Sequence, residues 1–449
     1  MRVFMYLIIV SATLAAYVSS PDVRLAPSVV KFLPDLVSAM TMIYVIVAGT
    51  QQRFRNVSMK YWLIFSALIV TIASGAMVNQ EAVGPIVNGM RYYLRAMPLF
   101  LLPAVVNFRE RDLQGYLKML LVLSLLQVPI SSYQRWTNEA IGITTGDVVV
   151  GTLMESGILS LFLIAVVCEL AALMLRGRLS KLWFSVLFVL LVIPMSINET
   201  KVTVFLLPIG LVSTFILAAP RGRKLLVTLQ AFAFVTVAGA IFVPLYDYFN
   251  KGVAGQFRIE DFLTNPSEIN KYLNKEAKIG TGQEAGRLDA LEVPFKALAH
   301  DPIKLAFGLG LGNASKSSLG SQFSGKYMSL FWNFLQAASI TAFMLELGVF
   351  GTGLVLLLHW MVLKDALFVA RHDDGLTGIL ALGYVGGWLT ITIGLFYTEI
   401  HTYEALSFMF WLFSGLFASR RMQLARSPTS SRSLSSFDPR KMRLEASAR

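Results

Sequence analysis

The sequence predicts an all-α, polytopic integral membrane protein, with about twelve transmembrane helices and one large outer (periplasmic) loop. Three observations carry this. Of 449 residues, 55% are hydrophobic and only 15% charged, where a soluble domain has about 25% charged residues. Mean hydropathy is +0.62. Apolar stretches near the ~20 residues that cross a bilayer recur along the chain. A soluble enzyme, a disordered chain and a nucleic-acid-binding domain are excluded by the same numbers. The formal charge of +12 does not point to nucleic acid, because 23 of the 39 Lys and Arg sit at the N-terminus, in five short loops and in the C-terminal tail. That distribution sets a membrane topology.

The spans fall at 3–19, 32–49, 62–79, 86–106, 117–132, 149–173, 182–198, 202–219, 225–245, 344–363, 378–396 and 404–419. The first has the look of a signal peptide, with Arg2, an apolar stretch and small residues near Ser19 and Ser20. It lacks a clean A-x-A site, so it reads as a retained span. Arg53, Arg55 and Lys60 follow span 2; Arg109, Arg111 and Lys118 follow span 4. Arg176, Arg178 and Lys181 follow span 6; Arg221, Arg223 and Lys224 follow span 8. Lys364 and Arg371 follow span 10, and Arg420 and Arg421 follow span 12. Every even-numbered exit is basic, which puts both termini in the cytoplasm.

Spans 1–9 occupy residues 1–245, and the large loop with helical segments occupies 246–327. An interfacial or re-entrant segment and spans 10–12 follow over 328–419. The Ser- and Arg-rich tail over 420–449 has too few apolar residues to pack and is expected to be disordered. No internal repeat of a transporter kind is visible, and no broken helices are expected.

Cysteine and histidine chemistry is sparse. Cys168 stands alone in an apolar run, so no internal disulfide or cysteine metal site forms. His300, His359, His372 and His401 show no metal-ligand spacing. No metal and no cofactor are expected. His300 and His359 read as structural, whereas Glu399 and His401 lie on the outer turn between spans 11 and 12.

Charge at the outer membrane boundary is the functional signal, because ionisable groups at membrane depth are costly. Arg91 and Arg95 stand one turn apart in NGMRYYLRAMP. Arg135 lies in SSYQRWTNE, and Asp147 and Glu155 in TTGDVVVGTLMESG. Glu199 and Lys201 share the turn SINETKVTV. Glu284, Arg287, Asp289 and Glu292 come from GTGQEAGRLDALE. Five cations on the side that usually lacks them suggest a polyanionic ligand, since guanidinium groups grip phosphate bidentately. The alternative is that they pair with Glu81, Asp147, Glu155, Glu199 and Asp289, or reach lipid phosphates.

FGLGLGNAS brings Gly308, Gly310 and Gly312. Its GxGxG spacing is not a dinucleotide fingerprint, and it reads as a turn or a close backbone approach to a ligand. MLELGVFGTG sets Glu346, Gly348 and Gly351 at the entry to span 10.

The order GRLDALEVPFKALAHDP, GLGLGN and LELGVFG resembles the bacterial O-antigen ligase and Wzy-type polysaccharide polymerase superfamily. The matching positions are Arg287, Pro302, Gly308, Gly310, Gly312, Glu346, Gly348 and Gly351. The YQRW…GDVVVGT segment and the SINETKVTV turn are similar as well. The ligase branch carries a His-Asn/Ser/Gln pair before the Gly-x-x-Gly; here that place is Ala337–Ala338. The resemblance therefore favours the polymerase branch.

It implies glycan transfer at the outer face of the bacterial inner membrane. The donor would be a glycan on undecaprenyl diphosphate, and the acceptor a sugar hydroxyl of another lipid-linked repeat unit. A chain-length regulator is a possible partner; nucleic acid is not. In this reading Arg287 and Arg135 bind the diphosphate. Arg91, Arg95 and Lys201, with Gly310, Gly312 and Glu346, complete substrate binding. Glu199, Glu284 or Asp289 serves as base or orients an arginine. The competing readings are an O-antigen ligase and a transporter or flippase of lipid-linked sugars.

Overall fold

A computed structural model describes residues 2–52, 54–143, 145–219, 222, 224–249 and 265–426. Arg53, Arg221, Arg223 and the tail beyond Arg426 lie outside the described residues. Among those described, the protein is helical with no strand. In hydrocarbon a helix satisfies its own backbone, so this is the expected solution for so apolar a chain.

The helices run α1 (Arg2–Val18), α2 (Leu33–Gln52), α3 (Met59–Val78), α4 (Val83–Leu94), α5 (Met97–Val105) and α6 (Glu110–Ala140). Then come α7 (Ser156–Leu175), α8 (Lys181–Ile197), α9 (Thr203–Ala218) and α10 (Lys224–Phe249). The segment between α10 and α15 contributes α11 (Pro266–Leu273), α12 (Asp289–Ala299), α13 (Pro302–Phe307) and α14 (Met328–Ala337). The chain closes with α15 (Ser339–His372), α16 (Leu376–Gly394) and α17 (Glu404–Arg426). Seven of these are long and apolar enough to cross a membrane: α2, α3, α6, α7, α10, α15 and α16. Helices α1, α8 and α9 are apolar but shorter.

The centre of the bundle is α7 against α16, with α9 beside both. Their apolar windows are 83% buried for α7 and 78% for α16, against 17% for α10. Hydrophobicity thus does not decide which helix is central; side-chain size does. A Cβ at Gly386 of α16 would stand 2.2 Å from Thr214 Oγ1 and 2.5 Å from the Gly210 carbonyl of α9. Helix α10 instead turns Leu229, Phe232 and Val237 outward, as a lipid-facing helix does.

The structure departs from the sequence reading in four places. The span expected over 86–106 is two helices, α4 and α5, broken at Arg95–Ala96. The span at 149–173 begins only at Ser156, because Gly151 and Met154 take left-handed backbone angles in the segment before it. Helix α15 is interrupted at Gly348, with φ 67° and ψ −171°. Interrupted helices therefore exist where none was expected. Finally, α17 runs on to Arg426, so residues 420–426 are helical rather than disordered.

At the basic end of the bundle Asp365 of α15 is 1% exposed. It accepts from Lys60 Nζ at 2.6 Å and Tyr61 Oη at 2.7 Å, and it also pairs with Arg421. This ties α3, α15 and α17 together far from the segment between α10 and α15.

Candidate functional site

The α8–α9 turn, the start of α9 and the end of α16 meet the segment between α10 and α15 in a cleft of about 350 Å³. Lys201, Tyr272, Arg287 and Tyr397 line its polar side; Phe205, Ile393 and Phe396 line its apolar side. Arg287 is presented by the turn before α12. Its Nη1 donates to the Ala337 carbonyl at 2.7 Å. The guanidinium carbon lies 4.5 Å from the Tyr397 ring centre and 5.8 Å from that of Tyr272. Aromatic faces stabilise a cation withdrawn from water without neutralising it. Lys201 Nζ stands 5.7 Å from the other partner ring, Tyr272.

Three carboxylates surround these cations. Asp147 lies within electrostatic reach of Lys201 and Arg287, and Glu155 within reach of Arg287. Glu155 caps α7 and also accepts from Thr398 Oγ1 at 3.3 Å. Withdrawal from water raises its pKa. Glu199 sits in the α8–α9 turn with a φ of 61°, which is unusual for a residue with a side chain. Its Oε2 accepts from Thr145 Oγ1 at 2.9 Å and from the Gly146 amide at 2.5 Å. Its own carbonyl accepts from Tyr246 Oη at 3.0 Å. Burial first, and then Asp147, raise the Glu199 carboxyl above the ordinary range. The turn is fixed by Asn198, which donates to the Ser156 carbonyl and to Ser160 Oγ. Asn198 and Glu199 together make the strained backbone hold.

The structure separates the remaining sequence candidates from this cleft. Arg91 pairs with Asp35 at 2.8 Å and donates to Ser318 Oγ. Arg95, 6% exposed, pairs with Glu404 and donates to the Thr402 carbonyl. The two arginines therefore tie α2 and α4 to the α16–α17 connection and do not line the cleft. Arg135, 5% exposed, is held by Glu139 at 2.6 Å and by the Phe249 carbonyl. Their acidic partners Asp35, Glu139 and Glu404 differ from the five carboxylates expected from sequence. Asp289 accepts from the amides of Lys275 at 2.7 Å and Gly286 at 3.1 Å, so it organises its own loop. Glu284 forms a surface pair with Lys275 at 2.8 Å and is 82% exposed.

Gly310, Gly312 and Glu346 come together, but away from the cleft. Glu346 is fully buried and accepts from the Ala314 amide at 3.1 Å and from the Gly312 amide. The glycine run thus wraps a carboxyl group, and that group is the protein's own Glu346. Glu81 lies against Gly310 beside it. Burial, and then Glu346, push Glu81 up to about 8. Glu399 behind them is likewise pushed up to about 8 by burial, Glu346 and Glu155. The His401 ring centre lies 5.1 Å from that of Tyr93, with the rings tilted by 42°, and burial and then Arg95 push it down to about 3.

Tyr272 and Tyr397 escaped the sequence reading. Tyr397 stands two residues before Glu399, in YTEIHTYE, and only the ionisable Glu399 and His401 of that turn carry a sequence signal. Among the described residues no group of three His, Cys, Asp or Glu side chains is arranged to hold a metal ion. No protein-family model matches the chain, and no curated protein matches it.

Proposed function

We propose that this chain is a polysaccharide polymerase of the Wzy-like kind: a glycosyltransferase acting at the outer face of a bacterial inner membrane. The single observation that carries the reading is the cleft that joins Arg287 and Lys201 to an apolar wall of Phe205, Ile393 and Phe396. A diphosphate on a polyprenyl chain needs both: fixed cations for the leaving group and an apolar opening for the lipid. The resemblance over residues 287–351 points the same way. The carbonyl of Ala337, where the ligase branch has a histidine pair, accepts from Arg287 instead. That favours polymerase over ligase.

In this reading Arg287 and Lys201 bind the donor diphosphate and stabilise it as it leaves. Glu199 takes the proton of the acceptor hydroxyl. Its raised pKa suits a base that must return the proton, and Asp147 and Glu155 keep the cations oriented. Glu284 and Asp289 take no part. The chain makes twelve crossings when α4 and α5 count as one interrupted span, with both termini cytoplasmic and α11–α14 periplasmic. The partners are lipid-linked donor and acceptor and a chain-length regulator.

A second reading, a transporter of lipid-linked sugars, draws on the interruptions at Arg95–Ala96 and Gly348. One experiment separates the two. Lipid-linked and surface glycan from cells lacking this gene are resolved by repeat number on a gel. Collapse to single repeat units, restored by wild type and not by Arg287→Ala, supports the polymerase. Long polymer left on the carrier lipid means a ligase. Unchanged polymer removes both enzyme readings.

A further inference from the structure

The basic end of the bundle carries a pocket that glycan transfer does not use. It measures about 240 Å³ and lies between the last turns of α15 and the end of α17. Lys364, Arg371 and His372 line it from α15, Arg421 from α17, and Phe368 gives it an apolar floor. His372 stacks on Phe368 with ring centres 4.2 Å apart, and the Arg421 guanidinium lies 5.2 Å from the same ring.

The charge balance around this pocket is uneven. Asp365 is shared between Lys60 and Arg421. Asp373 is taken by Arg420 at 2.6 Å. Asp374 is exposed and outside the lining. Lys364 and Arg371 are both exposed, and among the described residues neither has a carboxylate within ion-pair distance. Five cations (Lys60, Lys364, Arg371, Arg420 and Arg421) thus face three carboxylates. Two of those five reach into the pocket with their charge uncompensated.

Depth identifies the anion. Trp360 is 49% exposed and one turn before Lys364, whose Nζ lies 5.1 Å from its ring centre. Exposed tryptophan settles at the level of lipid headgroups. At about 1.5 Å per residue, Lys364 then lies roughly 6 Å further out, within a headgroup layer of roughly 5–7 Å. Arg371 starts roughly 16 Å out, but side chains on a helix lean back toward its N-terminus, and Arg371 lines the same pocket as Lys364.

We propose that the α15–α17 pocket binds the phosphate of an anionic phospholipid headgroup, with Lys364 and Arg371 as its two arms. Phe368 packs against the glycerol backbone. Arg421 stays on Asp365 and adds its field to the site. Basic pockets between spanning helices are a known solution for such headgroups.

The test uses the full chain purified in detergent and titrated with phosphatidylglycerol or phosphatidylcholine, counting retained lipids by native mass spectrometry. Wild type is expected to hold one phosphatidylglycerol that K364Q/R371Q loses, with affinity for it lowered roughly thirtyfold, about fivefold per basic residue. Phosphatidylcholine retention should be the same in both. Equal phosphatidylglycerol retention would overturn the proposal. So would displacement of the lipid by millimolar inorganic phosphate, which would make this a site for a soluble phosphate. Both substitutions are at exposed positions, and an unchanged melting temperature in phosphatidylcholine confirms that the variant is folded.

Discussion

Gly308 and Gly348 meet backbone to backbone. A Cβ on Gly348 would stand 2.5 Å from the Gly308 nitrogen, and one on Gly308 would stand 2.6 Å from the Gly348 nitrogen. Both have positive φ, 76° and 67°. The first glycine of GLGLGN and the glycine of LELG are thus two halves of one junction. It seats the segment between α10 and α15 on the interruption in α15, and the Leu309 amide donating to the Leu345 carbonyl closes it. Substitution with alanine meets main-chain atoms that cannot swing aside.

Gly348→Ala should therefore destabilise the purified protein by about 2–4 kcal/mol, from left-handed strain plus the clash. Gly353→Ala is the control, because its Cβ meets nothing within 4 Å. Thermal unfolding of the two variants side by side measures it. Equal melting temperatures would remove the junction from the account.

Glu199→Gln separates two roles for that residue. The amide oxygen can still accept from Thr145 and Gly146, so the turn should keep its stability to within about 1 kcal/mol. A base, however, is lost. Initial rates of chain growth in a purified transfer assay should fall about 10²–10⁴-fold. Full activity in this variant would leave Glu199 as a brace alone and pass the base to Asp147 or Glu155.

Stability should fall as pH rises through the neutral range. Glu81 and Glu399 hold their protons in the folded protein up to about 8, whereas an unfolded glutamate releases its proton near 4.3. Between those values the folded state binds more protons than the unfolded one, so each pH unit costs stability. The loss begins above about pH 4.3 and levels off beyond about 8. Between pH 5 and 8.5 the buried Glu399 accounts for up to about 4 kcal/mol at ~1.36 kcal/mol per unit, and the half-buried Glu81 for less because solvent screens it. Glu81→Gln should be more stable than wild type at pH 8.5 and should flatten the slope. A wild-type melting temperature that climbs over this range would contradict the account.

What could be read from the sequence was what local composition determines. Apolar runs marked most of the helices, and two of the charges singled out in the sequence, Lys201 and Arg287, line one cleft. Burial partners were not legible, because they are set by contacts between distant segments. Arg95 and Glu404 are 309 positions apart, and Arg91 and Asp35 are 56 apart. The same holds for the glycine run: its spacing reads as a turn or a close backbone approach to a ligand, yet nothing local says that its amides meet Glu346. The break at Arg95–Ala96 did carry a local signal: Pro98 stands in the first turn of α5, where proline is tolerated but cannot continue a preceding helix.

The crossing of α15 can be tested apart from any enzymatic reading. Thr281 is exposed and next to the N-terminal end of this helix: Gly280 donates to the Leu330 carbonyl at 3.2 Å, and Asn333 donates to the Gln283 carbonyl at 2.8 Å; Leu330 and Asn333 are on α14, which leads into α15. Asp374 is exposed just past its other end. The stretch of α15 beyond the Gly348 interruption, 349–372, is about 36 Å long at 1.5 Å per residue, which exceeds a bilayer core of about 30 Å. The one native thiol, Cys168, is fully buried and gives little background. In a Cys168→Ala chain, Thr281→Cys should react with a membrane-impermeant maleimide on intact spheroplasts. Asp374→Cys should react only after lysis. Labelling of both from the same side would mean that α15 does not cross, and the outer cleft and the basic pocket would then share one face of the membrane.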